Sequence, residues 1–315
     1  MPSRTHTITT SPDARPTRVR TRAGAARALA VVAALALLPA CGAPEREAAA
    51  PTPTPSRSVA EDLAHAHAGD DASPSPAVGK PGGPHAVDAE AVAYGDAGGT
   101  PIRGYLARPR DVADAPGVLL VHEWWGLNDN LRDMARQLAS HGYVALAVDL
   151  YVGRTAERPK QAMALVQSVL ADPGAAEANL RQAASFLRQR GAERVGVVGW
   201  CFGGDWALRA GMLLGDEIDA VVMYYGEPNT ARAELARLEA PLLGLFGAED
   251  ATIPVANVRE MESTLQRLGK PVTIRVFPGA RHAFANPSGR RYVPEAAEEA
   301  WRLTLEFLDR HLRSG

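Results

Sequence analysis

The sequence predicts an α/β protein with a mostly parallel, doubly wound sheet and an antiparallel hairpin at its N-terminal end. Six short apolar runs alternate with amphipathic helical patterns between about residue 86 and residue 315. The runs are almost entirely apolar, which is typical of parallel strands that helices cover on both faces. Before them, residues 87–94 and 102–108 flank a turn-rich segment, Gly95-Asp96-Ala97-Gly98-Gly99, as expected for a hairpin at the sheet edge.

The remaining elements can be predicted in chain order. The apolar runs predict strands at 117–122, 143–149, 194–199, 218–225, 241–247 and 272–278. The periodic stretches predict helices at 128–140, 174–190, 205–214, 254–268 and Pro294–Leu312. Because strands and helices alternate without a second linker, residues 86–315 are predicted to form one domain.

Composition excludes several classes of function. Lys and Arg number 34 against 36 Asp and Glu, a formal net charge of −2, which argues against a nucleic-acid-binding protein. The two cysteines, Cys41 and Cys201, form no CxxC motif and no Cys/His cluster, so neither a structural zinc site nor a disulfide framework is expected. The sequence also lacks the glycine-rich motifs that bind dinucleotides or nucleoside triphosphates, so no metal and no cofactor is predicted.

The first 40 residues have the pattern of a secretory signal peptide. Six arginines and a single acid lie in residues 4–27, and the apolar run 28–40 follows. The run is too short to span a membrane, which takes about 20 residues. It ends in Leu38-Pro39-Ala40-Cys41, which resembles the lipobox of bacterial lipoproteins and predicts lipidation of Cys41. The alternative is an ordinary signal peptide with a cysteine there by chance.

Residues 41–85 are rich in Ala, Pro, Ser and Thr and are predicted to be a disordered tether. Together with the signal peptide, the tether predicts an exported protein that a lipid chain anchors to the cell envelope. Without lipidation, the same segments predict a secreted protein.

A candidate nucleophile lies in Gly199-Trp200-Cys201-Phe202-Gly203, between a predicted strand and a predicted helix. This is the G-x-S-x-G nucleophile elbow with cysteine in place of serine. The helix N-terminus behind Cys201 is expected to lower the pKa of the thiol and to favour the thiolate. The alternative is a small buried cysteine beside a glycine-rich turn.

A candidate acid and a candidate base follow in the order of the α/β-hydrolase fold. Asp250 comes just after the strand predicted at 241–247, and His282 comes just after the strand predicted at 272–278. Both therefore lie at the sheet edge where open α/β sheets bind ligands. Glu249 is the rival acid. Asp250 could instead cap a helix, and His282 could be an ordinary loop residue.

The loop His122-Glu123-Trp124-Trp125-Gly126 follows the strand predicted at 117–122. In this fold such a loop supplies one backbone N–H of the oxyanion hole, and the N–H of Phe202 supplies the other. Glu123 is expected to lie near Cys201, although a carboxylate at the end of a strand is often an exposed surface group.

These motifs together resemble the dienelactone hydrolase family, whose members are α/β-hydrolases with a Cys-Asp-His triad. The resemblance covers nearly all of residues 86–315 and includes, besides the three loops above, Asp149-Leu150-Tyr151, Tyr224-Tyr225-Gly226 and Pro278-Gly279-Ala280-Arg281-His282-Ala283-Phe284. It implies that Glu123 helps to deprotonate the thiol when substrate binds, and that Trp124 and Phe202 supply the oxyanion amides. The Tyr224-Tyr225-Gly226 segment makes Tyr225 a candidate for substrate binding.

The substrate-binding arginines of the family are less well matched. Asn286 stands where the family has an arginine shortly after the catalytic histidine, and Arg154 is shifted by one residue from the position of the other. Arg281 and Arg290 are possible replacements, although neither matches by position.

The predicted function is therefore hydrolysis of a small ester or lactone without a cofactor, through an acyl-enzyme on Cys201. A broad carboxylesterase, a thioesterase and a peptidase remain alternatives within the enzymes. A non-catalytic envelope protein that binds ligands on the same fold is the alternative from a different class.

Overall fold

In the computed structural model, residues 82–287 and 289–313 are described here. The predicted signal peptide, almost all of the predicted tether and Cys41 lie outside these residues, so those interpretations stay predictions. The described residues form an eight-stranded sheet, with strands β1 (Val87–Ala97), β2 (Thr100–Pro109), β3 (Gly117–Val121), β4 (Val144–Ala147), β5 (Val195–Trp200), β6 (Ala220–Tyr224), β7 (Leu242–Gly247) and β8 (Val272–Phe277).

The sheet has the strand order β1-β2-β4-β3-β5-β6-β7-β8. The pairs β1/β2 and β2/β4 are antiparallel, and all other neighbouring strands are parallel. This confirms the predicted mostly parallel sheet with an N-terminal antiparallel hairpin. The hairpin strands extend further than predicted, because the turn is confined to Gly98 and Gly99, whose positive φ values of 61° and 91° suit a two-residue turn.

Seven helices connect or flank the strands within the described residues: α1 (Asp129–Ser140), α2 (Pro159–Ala171), α3 (Pro173–Gln189), α4 (Phe202–Leu213), α5 (Arg232–Leu235), α6 (Val255–Arg267) and α7 (Pro294–Leu312). The sequence did not predict α2 or the short α5. Helices α2 and α3 follow one another with Asp172 between them, and its side chain accepts the N–H of Ala175 and caps the second helix. None of the helices in these residues is long and apolar enough to cross a bilayer.

The central strands of the sheet are fully buried, and the loops that follow them carry the candidate site. Every residue of β3, β5, β6 and β7 is buried, which matches the uninterrupted apolar sequence of these strands. Strands β3 to β8 run parallel, so their carboxyl ends meet at one edge of the sheet. The loops with Glu123, Cys201, Tyr225, Asp250 and His282 all follow strand ends at this edge.

Candidate active site

Cys201 occupies a strained turn between β5 and α4. Its backbone lies at φ 54° and ψ −122°, a conformation that costs a residue with a side chain about 1–3 kcal/mol and recurs at functional sites. The turn requires glycine on both sides. A Cβ atom on Gly199 would lie 1.9 Å from the carbonyl oxygen of Gly203, and a Cβ on Gly203 would lie 2.2 Å from that of Val121. The glycines thus let the elbow close and pack against the end of β3.

His282 and Asp250 are buried partners on the neighbouring loops. The Nδ1 atom of His282 lies 2.8 Å from Oδ2 of Asp250, while Oδ1 accepts the backbone N–H groups of Thr252 and Ile253 at 2.9 and 3.1 Å. Burial alone would raise the pKa of Asp250, but His282 and these two N–H groups outweigh it and hold the pKa below its usual value. An ionised Asp250 assigns the Nδ1 proton to the shared bond, so that Nε2 is the basic nitrogen of the ring.

The ring of Tyr225 packs against His282. Its ring centroid lies 5.2 Å from that of His282, in an edge-to-face arrangement. Its hydroxyl is buried, and burial, followed by the charges of Glu123 and Cys201, raises the pKa of the phenol. The tyrosine also has a positive φ of 36°. Four residues with side chains at this edge, Val152, Cys201, Tyr225 and Ala283, have positive φ values, which favour glycine.

The surroundings of Cys201 raise the pKa of its thiol, whereas the helix N-terminus led the sequence analysis to expect a lowered pKa. Burial raises the pKa of the thiol well above its ordinary value, and the negative charges of Glu123 and Asp205 raise it further. The N–H of Phe202, in the first turn of α4, lowers the pKa but is outweighed. The N-terminus of α4 lowers the pKa as expected, but the expectation left out the desolvation of Cys201, which is 1% exposed, and the net shift is upward.

Glu123 lies near the thiol and is held by a neutral side chain. The amide nitrogen of Asn286 donates a hydrogen bond of 2.9 Å to Oε2 of Glu123, and both residues are buried. Asn286, which contacts the glutamate, thus occupies the position at which the family has an arginine.

Two side chains that the sequence reasoning did not single out hold the loop after β3. Nδ1 of His122 lies 2.6 Å from the carbonyl oxygen of Glu123, and Nε2 accepts the N–H of Leu150 at 3.1 Å. The hydroxyl of Tyr151 donates to the carbonyl oxygen of Trp124 at 3.1 Å. The sequence could have indicated these contacts, because the segment Asp149-Leu150-Tyr151 follows β4 and therefore lies at the same edge of the sheet as the loop after β3.

The structure places the predicted oxyanion donors on adjoining loops. A Cβ atom on Gly203 would lie 2.2 Å and 2.5 Å from the carbonyl oxygens of Val121 and His122, so the first turn of α4 packs closely against the start of the loop that carries Trp124. Phe202 is one residue from the nucleophile, and both Trp124 and Phe202 are 1% exposed. That the backbone N–H groups of these two residues form the oxyanion hole remains a prediction.

A cleft opens beside Glu123 and Tyr225. Its wall combines apolar side chains with polar ones: Leu131, Met134, Trp200, Ala285 and Pro287 are apolar, and Glu123, Asn128, Asn130, Tyr225 and Asn286 are polar. Among the predicted substrate-binding residues, Tyr225 lines the cleft.

The two predicted substrate-binding arginines lie on the surface. Arg154 is exposed, and its guanidinium donates to the carbonyl oxygen of Tyr151 at 3.1 Å and to Ser168 Oγ at 3.2 Å. Arg281 is 68% exposed and lies 3.8 Å from Glu249, the rival acid of the triad. Glu249 is therefore turned toward a surface arginine, while Asp250 contacts the histidine. In the described part of the chain, no cluster of His, Cys, Asp and Glu has the composition of a metal site.

Comparison with known proteins identifies the family. The sequence model of the dienelactone hydrolase family matches residues 102–312. Protein usf of Aquifex pyrophilus is 30% identical over 222 residues, which cover 68% of this chain and 95% of the relative. A "Putative carboxymethylenebutenolidase" of Aquifex aeolicus is 30% identical over 223 residues, with coverages of 68% and 96%.

Solved structures agree with the sequence relatives. The crystal structure of a "Putative Dienelactone Hydrolase" from Klebsiella pneumoniae superimposes with a TM-score of 0.63 at 29% identity, and the match covers 70% of this chain and 98% of that one. Residues 102–312, which the family model matches, contain every loop of the candidate site. The chain belongs to the dienelactone hydrolase family and is an ester or lactone hydrolase.

Proposed function

We propose that this hydrolase acts through a Cys201-His282-Asp250 triad and a thioester acyl-enzyme. The observation that carries the proposal is the buried hydrogen bond between His282 and Asp250, at the same sheet edge as the strained Cys201 elbow. Nucleophile, base and orienting acid are the three roles that nucleophilic acyl transfer requires.

The first half-reaction transfers the acyl group to sulfur. The thiol proton leaves to Glu123 or to His282, and the sulfur forms a bond with the carbonyl carbon. The N–H groups of Trp124 and Phe202 stabilise the oxyanion of the tetrahedral intermediate. The C–O bond to the alcohol then breaks, and the leaving oxygen takes the proton that the enzyme removed.

The second half-reaction regenerates the enzyme. Nε2 of His282 accepts a proton from water, whose oxygen attacks the thioester carbon. The C–S bond breaks, the acid leaves, and the sulfur recovers a proton. Asp250 holds the ring in one orientation and stabilises its positive charge throughout.

Intact-protein and peptide mass spectrometry test this mechanism. Rapid quenching during turnover of a p-nitrophenyl ester should show one acyl group on the peptide that contains Cys201. The Cys201→Ala variant, as control, should show neither the adduct nor turnover. Turnover that survives in Cys201→Ala, or an acyl group on another residue, would contradict the mechanism.

The cellular location is a second part of the proposal. We propose that the chain is exported and that a lipid on Cys41 anchors it to the cell envelope. The support is the arginine-rich start, the apolar run 28–40 and the cysteine that follows it. A single acyl chain gives only weak membrane binding, so stable anchoring needs more than one chain.

A further inference from the structure

The proposed oxyanion hole depends on the direction of one peptide unit, which joins Glu123 to Trp124. In a trans peptide unit the C=O and N–H groups lie in one plane and point in opposite directions. A group that holds the carbonyl oxygen of Glu123 therefore also aims the N–H of Trp124. Two donors reach this oxygen: Nδ1 of His122 lies 2.6 Å from it, and the N–H of Gly126 donates to it at 3.2 Å.

The hydrogen bonds of the His122 ring determine its tautomer. The N–H of Leu150 donates to Nε2 at 3.1 Å, so this nitrogen carries no proton. The single proton of the neutral ring is then on Nδ1, which donates it to the carbonyl oxygen of Glu123. Burial lowers the pKa of His122 and so favours the neutral ring.

The ring lies beside both of the loops that supply the proposed oxyanion donors. His122 is fully buried, and its ring centroid lies 4.5 Å from that of Tyr151 and 6.1 Å from that of Phe202. The backbone N–H of Phe202 is the second proposed donor. The hydroxyl of Tyr151 donates to the carbonyl oxygen of Trp124 at 3.1 Å, so the peptide unit that follows the first donor is held as well.

The N–H group that faces His122 is itself aimed from behind. It belongs to the peptide unit between Asp149 and Leu150, and the carbonyl oxygen of that unit accepts the side-chain N–H of Asn179 at 2.8 Å. The hydroxyl of Tyr94 donates to Asn179 Oδ1 at 2.6 Å and accepts the N–H of Asp149 at 3.0 Å. A buried set of hydrogen bonds therefore fixes the direction of the Leu150 N–H.

We propose that His122 is a positioning residue, which aims and polarises the backbone N–H of Trp124 toward the oxyanion. The hydrogen bonds run in one direction, from Asn179 through the peptide unit before Leu150 and the ring of His122 to the peptide unit before Trp124. Successive hydrogen bonds of this kind strengthen one another, and a stronger, well-aimed donor stabilises the charge that develops in acyl transfer. This inference rests on the proposed function.

Two variants separate the donor nitrogen of the ring from the acceptor nitrogen. The side-chain amide of asparagine reaches the place of Nδ1, so His122→Asn keeps a donor for the carbonyl oxygen of Glu123 and loses the acceptor for Leu150. The amide of glutamine reaches the place of Nε2, so His122→Gln keeps the acceptor and loses the donor. A purely structural role would make the two losses equivalent.

The measurement is the hydrolysis of p-nitrophenyl butyrate by the full-length proteins. An entire oxyanion donor contributes about 10²–10³ to kcat, and a misaimed donor loses part of this. We expect kcat to be at least about tenfold lower in His122→Gln than in His122→Asn. The KM values of the two variants should agree within about threefold, because the lost interaction forms in the transition state.

Alkylation of Cys201 by iodoacetamide is the control, because this reaction forms no tetrahedral oxyanion. Its rate constant, followed on the Cys201 peptide, should agree within about threefold between the two variants. A kcat difference below about tenfold, or an alkylation rate that falls together with kcat, would overturn the role of His122. If p-nitrophenyl butyrate leaves no acyl group on Cys201 in the native protein, the proposed function itself fails.

The native protein offers a second test that requires no variant. In full-length protein labelled with nitrogen-15 histidine, the assigned ring signals of His122 should show a protonated Nδ1 and an unprotonated Nε2 at pH 7. A proton on Nε2 would overturn the proposal, even if neither variant folds.

Discussion

Replacing Asp250 with asparagine should trap His282 in the wrong tautomer. In the native protein, Oδ1 of Asp250 accepts two backbone N–H groups and Oδ2 accepts the Nδ1 proton of His282. Asparagine has one acceptor oxygen, and the two backbone donors require it at the Oδ1 position. Its NH₂ group then faces Nδ1, which must accept a hydrogen bond, so the ring proton moves to Nε2.

The alternative orientation of the amide is unfavourable. Turning the amide around would place its NH₂ group against the N–H groups of Thr252 and Ile253. Each buried donor that loses its partner costs about 1–3 kcal/mol, so the orientation that misdirects the histidine is favoured. With its proton on Nε2, His282 cannot accept a proton there, and kcat should fall by about 10⁴, as for the same change in a serine-protease triad.

The assay is the initial rate of p-nitrophenolate release, measured beside the melting temperature of each variant. Asp250→Asn should keep its melting temperature within a few degrees, because the amide preserves both backbone hydrogen bonds. Glu249→Gln is the matched control, since Glu249 is 56% exposed and lies 3.8 Å from a surface arginine. Its kcat should stay within about twofold of the native value, because exposed ion pairs contribute little.

Either of two results would refute this reasoning. The first is an Asp250→Asn protein that keeps more than a tenth of the native kcat. The second is a Glu249→Gln protein that loses as much activity as Asp250→Asn, which would make Glu249 the acid of the triad.

Three further predictions concern the thiol, the buried histidine and the N-terminus. Glu123→Gln should lower ester turnover about 10²–10⁴-fold and yet speed alkylation of Cys201 by iodoacetamide, followed on the Cys201 peptide, because it removes a charge that raises the pKa of the thiol; slower alkylation would contradict this. Burial lowers the pKa of His122 below its ordinary 6.5, so the unfolded chain binds a proton that the folded chain does not, and the free energy of unfolding should fall as the pH drops below about 6.5. Denaturant titrations at pH 7 and pH 5 should show that the free energy of unfolding falls less in His122→Gln than in the native protein. Equal falls in the two proteins would contradict the role given to His122. A palmitate analogue should label the native protein in cells and not Cys41→Ala, and equal labelling of the two would exclude lipidation at Cys41.

The sequence was most informative where a local pattern directly determines the structure. Apolar runs without alternation can be buried on both faces, and this predicted the parallel strands β3 and β5 to β7. Loops after parallel strands reach the same edge of the sheet, so chain position alone predicted that Asp250 and His282 would approach each other. The sequence favoured Asp250 over Glu249, and the coordinates supply the contacts: Asp250 lies 2.8 Å from His282, while Glu249 lies 3.8 Å from Arg281.

The sequence was least informative where several loops act together. The pKa of Cys201 depends on its burial and on charges from residues 123 and 205, and a local reading of the helix N-terminus gave the wrong direction. The arginine candidates were chosen by spacing, but the backbone of each loop turned Arg154 and Arg281 to the surface. The contact of His122 with Leu150 joins two loops 28 residues apart, which no periodicity reveals.

A buried thiol with a high pKa and a buried carboxylate beside it are compatible with nucleophilic catalysis if they share one negative charge. In the resting site, Asn286 holds Glu123, and the charge of the carboxylate disfavours a thiolate on Cys201. Proton transfer from the thiol to the carboxylate moves this charge to sulfur and creates no second one, so the cost of desolvating two anions never arises. In the proposed mechanism, removing the carboxylate therefore has two opposite effects. Without the carboxylate, a larger fraction of Cys201 is thiolate and reacts with an external alkylating agent. Turnover is nevertheless slower, because the group that receives the thiol proton while the acyl bond forms is missing.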